Sequence, residues 1–241
     1  MAVPATTATY IDLPNDGFTV NSAPTVIDDQ HNASAAYNFD GVDDYLSTTG
    51  QVANGGETQF SLSCWVKTTA ANGIILNQRS SSSVGQFTLR LNTNKLKVWA
   101  FTNGSAYTSS TGATSFNTGQ WVHLCATVNG DDINLFLNGV EDTYSAQDSL
   151  AGGGFGAGGT NATLANLEVG DRSYASTVLD GDISRVKVWS GTTLSVAQVL
   201  EEYNAEFAAI GEGFAVATGN ILSTITSSIL TTKIVPSPVI S

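Results

Sequence analysis

The stretch WVHLCATVNGDDINLFLNGV, Trp121 to Val140, decides the fold. Its two apolar runs, WVHLCATV and INLFLN, are separated by Asn129, Gly130, Asp131 and Asp132, and Asn-Gly accepts the positive φ angles of a tight turn. Asn138 and Gly139 end the return strand. A β-hairpin is the expectation. The two-residue strand period extends outward from it. In FSLSCWVK, Phe60, Leu62, Cys64 and Val66 share one face, while Ser61, Ser63, Trp65 and Lys67 share the other. QFTLRLN groups Phe87, Leu89 and Leu91, and KLKVWAF groups Leu96, Val98 and Ala100, with NTN as the turn of a second hairpin. LDGDISRVKVW, Leu179 to Trp189, has strand-like composition, whereas GGGFGAGG, Gly152 to Gly159, reads as a surface loop. Ser195 and Gln198 form a capping box, Leu194 and Val199 a hydrophobic staple, and Val196, Val199, Leu200 and Tyr203 recur at helical spacing.

Composition narrows the function classes. Nine Lys and Arg against 21 Asp and Glu leave a net charge of -12 over 241 residues, which opposes nucleic acid and anionic membrane surfaces. With 12% charged and 41% hydrophobic residues the chain is too apolar for disorder, and 24 glycines point to frequent turns. No run approaches a membrane span, so no membrane insertion is expected. The stretch MAVPATTATYIDLP has neither basic residues nor an apolar run, so no secretory signal is expected. Cys64 and Cys125 cannot build a disulfide framework or a zinc site and are expected to be free thiols.

Several segments resemble the laminin-G-like or concanavalin-A-like jelly-roll family: YNFDGVDDYLS (Tyr37 to Ser47), FSLSCWVK, the Trp121 to Val140 hairpin, LEVGDRS, LDGDISRVKVW and LSVAQVLEEYN. The resemblance runs from about residue 10 to 207. It implies an all-β fold, a two-sheet antiparallel jelly-roll sandwich with one short C-terminal helix. Residues 1–207 then form the jelly roll with an N-terminal arm, and 208–241 an extended, apolar, β-prone tail. It also implies rim loops that, in different members, bind glycans, proteins or calcium.

The enzymes of this family carry Glu, any residue, Asp, two residues and Glu on one strand, because glycoside hydrolysis needs paired carboxylates. Here Glu141 is followed directly by Asp142, and Glu168 precedes Asp171 by three. No enzyme is expected. Of the histidines, His31 and His123, the latter falls in the hairpin, where the resemblance implies a framework role. Asp40, Asp43 and Asp44 lie in one short turn with Gly41 and offer clustered oxygens. Calcium is thus the one cofactor to consider, weighed against a plain turn-forming role. Family members add acidic residues from the closing strand, where this chain has Ser184 and Arg185. Trp65 and Trp99 fall on the more polar faces of their strands and are the glycan-stacking candidates. The acceptor triplets at Asn32, Asn103 and Asn161 read as chance matches.

From these features the first expectation is a non-enzymatic structural component of a phage virion, a capsid decoration or tail or fibre accessory protein, made in the host cytoplasm and bearing surface glycan adhesion. The alternative is a glycan-binding adhesion module of an extracellular protein, with a glycosidase third. In the tail, Ile221, Leu222, Ile225, Ile229, Leu230, Ile234 and Val235 suit an extended segment on another subunit's sheet edge, so the expected partners are further copies of the chain, other virion proteins and a cell-surface glycan. Folding back on its own sheet is the intramolecular alternative.

Overall fold

The computed structural model describes residues 8–11, 19–22, 24–27, 36–48, 50, 52, 56–81, 84–101, 107–149, 165–171 and 177–210. The assembly residues proposed in the tail, the 152–159 loop, His31 and the three acceptor asparagines lie outside them.

Among the described residues two eight-stranded antiparallel sheets form the expected sandwich. The first runs β13 (Val140–Asp142), β12 (Asp132–Leu137), β11 (Trp121–Asn129), β6 (Gln59–Lys67), β16 (Asp180–Ser190), β4 (Ala36–Asp40), β3 (Thr25–Ile27), with β1 (Ala8–Ile11) also paired to β16. The second runs β14 (Tyr144–Ser149), β10 (Tyr107–Ser115), β9 (Lys95–Phe101), β8 (Val84–Asn92), β7 (Asn72–Ser81), β15 (Glu168–Val169), β5 (Tyr45–Ser47), β2 (Thr19–Asn21). Both expected hairpins are present. Thr93 and Asn94 turn β8 into β9 with φ of 50° and 69°, and Asn129 pairs with Asp132 across the turn from β11 to β12, where Gly130 has φ 61°. Asn138 and Gly139 turn β12 into β13.

The inner faces meet in one core. Phe60, Leu62, Cys64 and Val66 of β6 and Leu124, Ala126 and Val128 of β11 pack against Phe87, Leu89, Leu91, Leu96, Val98 and Ala100 of the second sheet. Phe60 and Phe87 approach to 5.5 Å between ring centroids across the sandwich. Burying side chains of this size contributes about 1.5–3 kcal/mol each. Cys64 lies in this core, but Cys125, paired with Ser63, belongs to a cluster on the opposite face of the sheet. The two thiols are free as expected, because adjacent positions on paired strands face opposite ways. Burial pushes both thiol pKa values up.

The outer face of the first sheet is covered by α1 (Val196–Ile210). Ser195 starts it with the expected box: its backbone N–H donates to Gln198 Oε1 at 2.9 Å, and the Gln198 N–H donates to Ser195 Oγ at 3.4 Å. Leu194 and Val199 are both buried with Cys125, Phe136 and Trp189. The helix runs three residues past the 207/208 boundary expected from the sequence. Its buried face also differs from the expected stripe, since Val196 and Leu200 are 54% and 39% exposed while Glu202 and Glu206 are each 5% exposed. The cause is Lys187. A β-bulge at Arg185 (φ 52°) shifts the register of β16 between Ser184 and Lys187, which keeps Val186 and Val188 in the core. Lys187 then turns outward beneath the helix. Its Nζ contacts Glu202 Oε1 and lies 2.8 Å from Glu206 Oε1. Burial disfavours its charge, but Glu206 and Glu202 outweigh that and hold its pKa above the ordinary lysine value. Gly139 (φ 75°) is needed beneath the same helix, because a Cβ there would sit 3.0 Å from Tyr203 Cδ1.

Replacing Lys187 with Met removes the only cation that, among the described residues, lies against Glu202 and Glu206. We expect a loss of about 3–5 kcal/mol in chemical denaturation, with an unchanged strand signature in circular dichroism. An unaltered unfolding midpoint would show that the helix is held by its apolar contacts alone.

Candidate functional site

The second sheet has an outer face of a different character. Register aligns Glu168, Asn77, Thr88, Trp99 and Ser109 in one row across β15, β7, β8, β9 and β10. The inward neighbours Phe87, Leu89, Val98 and Ala100 belong to the core, so strand alternation turns this row outward. Its floor is a hydrogen-bonded set: Thr88 Oγ1 donates to Asn77 Oδ1 at 2.9 Å, and Asn77 Nδ2 donates to Glu168 Oε2 at 3.0 Å and to the Arg79 carbonyl at 3.0 Å. Such a satisfied buried network fixes side-chain positions.

Aromatic and basic groups stand over that floor. Trp99 is half-buried, with Phe101 and Tyr107 at 6.1 Å between ring centroids. The Arg79 guanidinium caps Phe101 at 3.6 Å from the ring centroid. Arg90 and Lys97, directly opposite one another on β8 and β9, approach Trp99 to 5.4 Å and 5.3 Å from the ring centroid. Trp99 Nε1 has no hydrogen-bond partner among the described residues. The face therefore sets the partly exposed Trp99, Arg90 and Lys97 beside a buried amide and hydroxyl network.

Trp65 must be corrected as a stacking candidate. It is 1% exposed, its ring lies 5.8 Å from Tyr203 and 5.4 Å from His123, and its indole N–H donates to Glu206 Oε2 at 2.7 Å. The helix occupies the face a sugar would need. His123 has the framework place expected of it, fully buried beneath α1. Burial lowers its pKa to about 3, with Glu202 opposing and Lys187 assisting that shift. Its 3.7 Å approach to Glu206 is therefore a contact of a neutral ring and not an ion pair.

Asp40, Asp43 and Asp44 do converge, with one carboxylate oxygen from each within 4.8 Å of the others. Backbone hydrogen bonds account for two of them: Asp40 Oδ1 accepts from the Val42 N–H at 2.8 Å and Asp44 Oδ2 from the Asp40 N–H at 3.1 Å. Burial, and then the neighbouring Asp40 and Asp43, raise the Asp44 pKa against the lowering effect of its hydrogen bond. These contacts make a tight turn. Gly41 (φ 77°) completes it, since a Cβ there would lie 2.8 Å from Asp180 Cβ. The closing strand thus sets Asp180 beside the turn, a placement that Ser184 and Arg185 did not suggest.

Of the two candidate tryptophans, then, only Trp99 is not fully buried. Arg79, Arg90, Phe101 and Tyr107 were not singled out from the sequence. Arg90 and Lys97 were within reach of it, because the NTN turn fixes their register and both share the parity of Trp99. Arg79 and Tyr107 lie on strands with no alternating apolar pattern.

Comparison with known proteins agrees with this architecture. A family model described as the Concanavalin A-like lectin/glucanases superfamily matches residues 40–200. No curated protein matches the sequence. Among solved structures, the receptor-binding domain of the botulinum neurotoxin C/D mosaic serotype aligns at TM-score 0.56 and 13% identity, over 79% of this chain and 46% of that one. A structure of botulinum neurotoxin type C, which depends on interaction with two ganglioside molecules to get into cells, aligns at TM-score 0.51 and 12% identity, over 78% and 44%. Domain 4 of AbnA, a GH43 extracellular arabinanase from Geobacillus stearothermophilus, in complex with arabinotriose, aligns at TM-score 0.50 and 20% identity, over 81% and 86%. The chain spans less than half the length of the toxin structures it matches. At these identities the likeness is one of fold.

The burial of His123 has a direct consequence in solution. Its ring resonances should show no titration step from about pH 8 to about pH 5. Because its pKa is about 3 when folded and about 6.5 when unfolded, its contribution to stability is fully present above about pH 6.5 and is lost as pH falls toward the folded value. An NMR titration with an inflection near pH 6.5 for His123 would contradict this placement.

Proposed function

The chain belongs to the concanavalin A-like lectin/glucanases superfamily, and from that premise we propose that it is a non-catalytic glycan-binding module whose ligand lies along Trp99 on the outer face of the second sheet. The observation that carries this is the composition of that face: a half-buried indole flanked by Phe101 and Tyr107, set over the Asn77, Thr88 and Glu168 network. A pyranose ring stacks on such an indole, and the buried network beside it holds the strands that carry it in place. The arabinotriose complex of AbnA domain 4 and the ganglioside dependence of the type C neurotoxin lend support from proteins of like fold.

Hydrolysis is disfavoured on the same face. Glycosidases need two carboxyl groups flanking the bond. The row carries Glu168, which is engaged by Asn77, and by register Asp148 opposite Ser109 on β14, at opposite ends of the row and too many strands apart to flank one bond. Placement in a virus particle, the first expectation from the sequence, rests on where such folds are met, and glycan binding does not depend on it. The same holds for the tail as an assembly segment.

Affinity electrophoresis through gels carrying soluble polysaccharides tests the proposal. The wild-type chain should be retarded by at least one polysaccharide, and Trp99→Ala should weaken that retardation at least about tenfold without lowering the melting temperature. No reducing sugar should be released. Equal retardation of Trp99→Ala and wild type would remove Trp99 from the site, and sugar release abolished by Glu168→Gln would make the protein an enzyme.

A further inference from the structure

We propose that α1 is an acid-released cover: when the carboxylates and the histidine beneath it take up protons, the helix leaves the first sheet while the two-sheet core stays closed. The cluster that holds the helix carries this. At neutral pH its charges are Lys187 of β16 and Glu202 and Glu206 of α1, in direct contact. His123 of β11 lies with Nε2 3.7 Å from Glu206 Oε2, and Trp65 of β6 donates to the same oxygen at 2.7 Å. One cation thus faces two anions, and the neutral His123 adds nothing. Protonation inverts that balance. Glu202 and Glu206 lose their charges and His123 gains one, so Lys187 and His123 become two buried cations on either side of the Glu206 carboxyl group, with the anion between them gone.

The other groups around the cluster do not restore the balance. Cys125 of β11 and Tyr203 of α1 are weak acids whose pKa values burial raises further, so they stay uncharged in acid. Arg185, at the bulge of β16, keeps its charge throughout. Glu141 of β13 and Glu201 of α1 are exposed and supply no charge once protonated. His123 sets the direction of the equilibrium. Its pKa is about 3 under the helix and about 6.5 in water, so the open form binds a proton that the closed form refuses. Closure is fully favoured above about pH 6.5 and loses ground as pH falls toward the closed value. By about pH 4.5, His123 alone shifts the equilibrium on the order of a hundredfold toward opening.

The sandwich has a different basis. Its two sheets meet through Phe60, Leu62, Val66, Phe87, Leu89 and Val98, whose contacts do not change with pH. The helix is joined to β16 by a short link from Gly191 (φ 68°) to Leu194, and among the described residues no strand follows it. It can therefore swing away without unpairing a sheet. Opening uncovers Trp65, Trp121 and Cys125, which α1 and its start now bury.

The two cysteines report the two compartments, Cys125 beneath the helix and Cys64 between the sheets. The full chain is labelled with a pyridyl disulfide, which captures thiols even in acid, with rates normalised to free cysteine and sites located by peptide mass spectrometry. Between about pH 7 and about pH 4.5 the Cys125 rate should rise at least about tenfold, while Cys64 stays unlabelled and the strand signal in circular dichroism is kept. His123→Leu cannot take up the proton and should label Cys125 at least about tenfold more slowly than wild type at about pH 4.5; His123→Gln replaces it if the leucine variant does not fold. Glu202→Gln leaves Lys187 one anion fewer and should open at a higher pH than wild type. Cys125 shielded throughout, Cys64 and Cys125 reacting together, or equal opening in the His123 variant each overturns the proposal.

Discussion

The ion cluster under α1 is the contact on which the functional geometry depends. Lys187, turned outward by the bulge at Arg185, meets Glu202 and Glu206 in a largely water-excluded layer, and Glu206 also accepts from Trp65. A sandwich of two sheets has two outer faces, and either can serve a ligand. Here the helix takes one of them. Trp65 with His123, and Trp189 with Cys125, which would otherwise lie open on the first sheet, are sealed in two small clusters. On the second sheet Trp99, Tyr107, Arg90 and Lys97 keep part of their surface exposed.

That division of labour also explains how the two faces differ chemically. Beneath the helix, polar atoms serve the fold: His123 is kept neutral by burial, and the glutamates are matched to one lysine. On the second sheet the buried polar set of Asn77, Thr88 and Glu168 is internally hydrogen-bonded, which holds the row in place. Trp99, Arg90 and Lys97 remain half-buried above it. A preorganised platform of this kind loses little conformational entropy when a ligand arrives.

Much of the fold was legible in the sequence because its turns are chemically marked. Asn129-Gly130, Asn138-Gly139 and the NTN run set the register of β8, β9, β11, β12 and β13, and alternation in FSLSCWVK and KLKVWAF set their inward faces. The strands without that alternation were not seen. β10, YTSSTGATS, is buried from Thr108 to Gly112 through small hydroxyl residues that give no apolar signal, and β7 mixes Ile74 to Leu76 with Asn77, Gln78 and Arg79. The helix start was marked by Ser195 and Gln198, but its buried face was not. Glutamates four residues apart, at 202 and 206, have the spacing of a solvated stripe, and it takes Lys187 of the preceding strand and Trp65 of β6 to turn them inward. For the same reason Trp65 and Trp99 looked alike: strand parity puts each on an outer face, and what covers that face is decided by residues more than a hundred positions away.

On this reading ligand binds the second sheet because α1 seals the first. Amide hydrogen exchange with and without a bound oligosaccharide tests it most directly. The account predicts added protection in Phe87–Asn92, Lys95–Phe101 and Tyr107–Ser115, with no change in Gln59–Lys67, Trp121–Asn129 or α1. Protection that appeared instead in α1 and β11, or in the Asp40 to Asp44 turn, would contradict it.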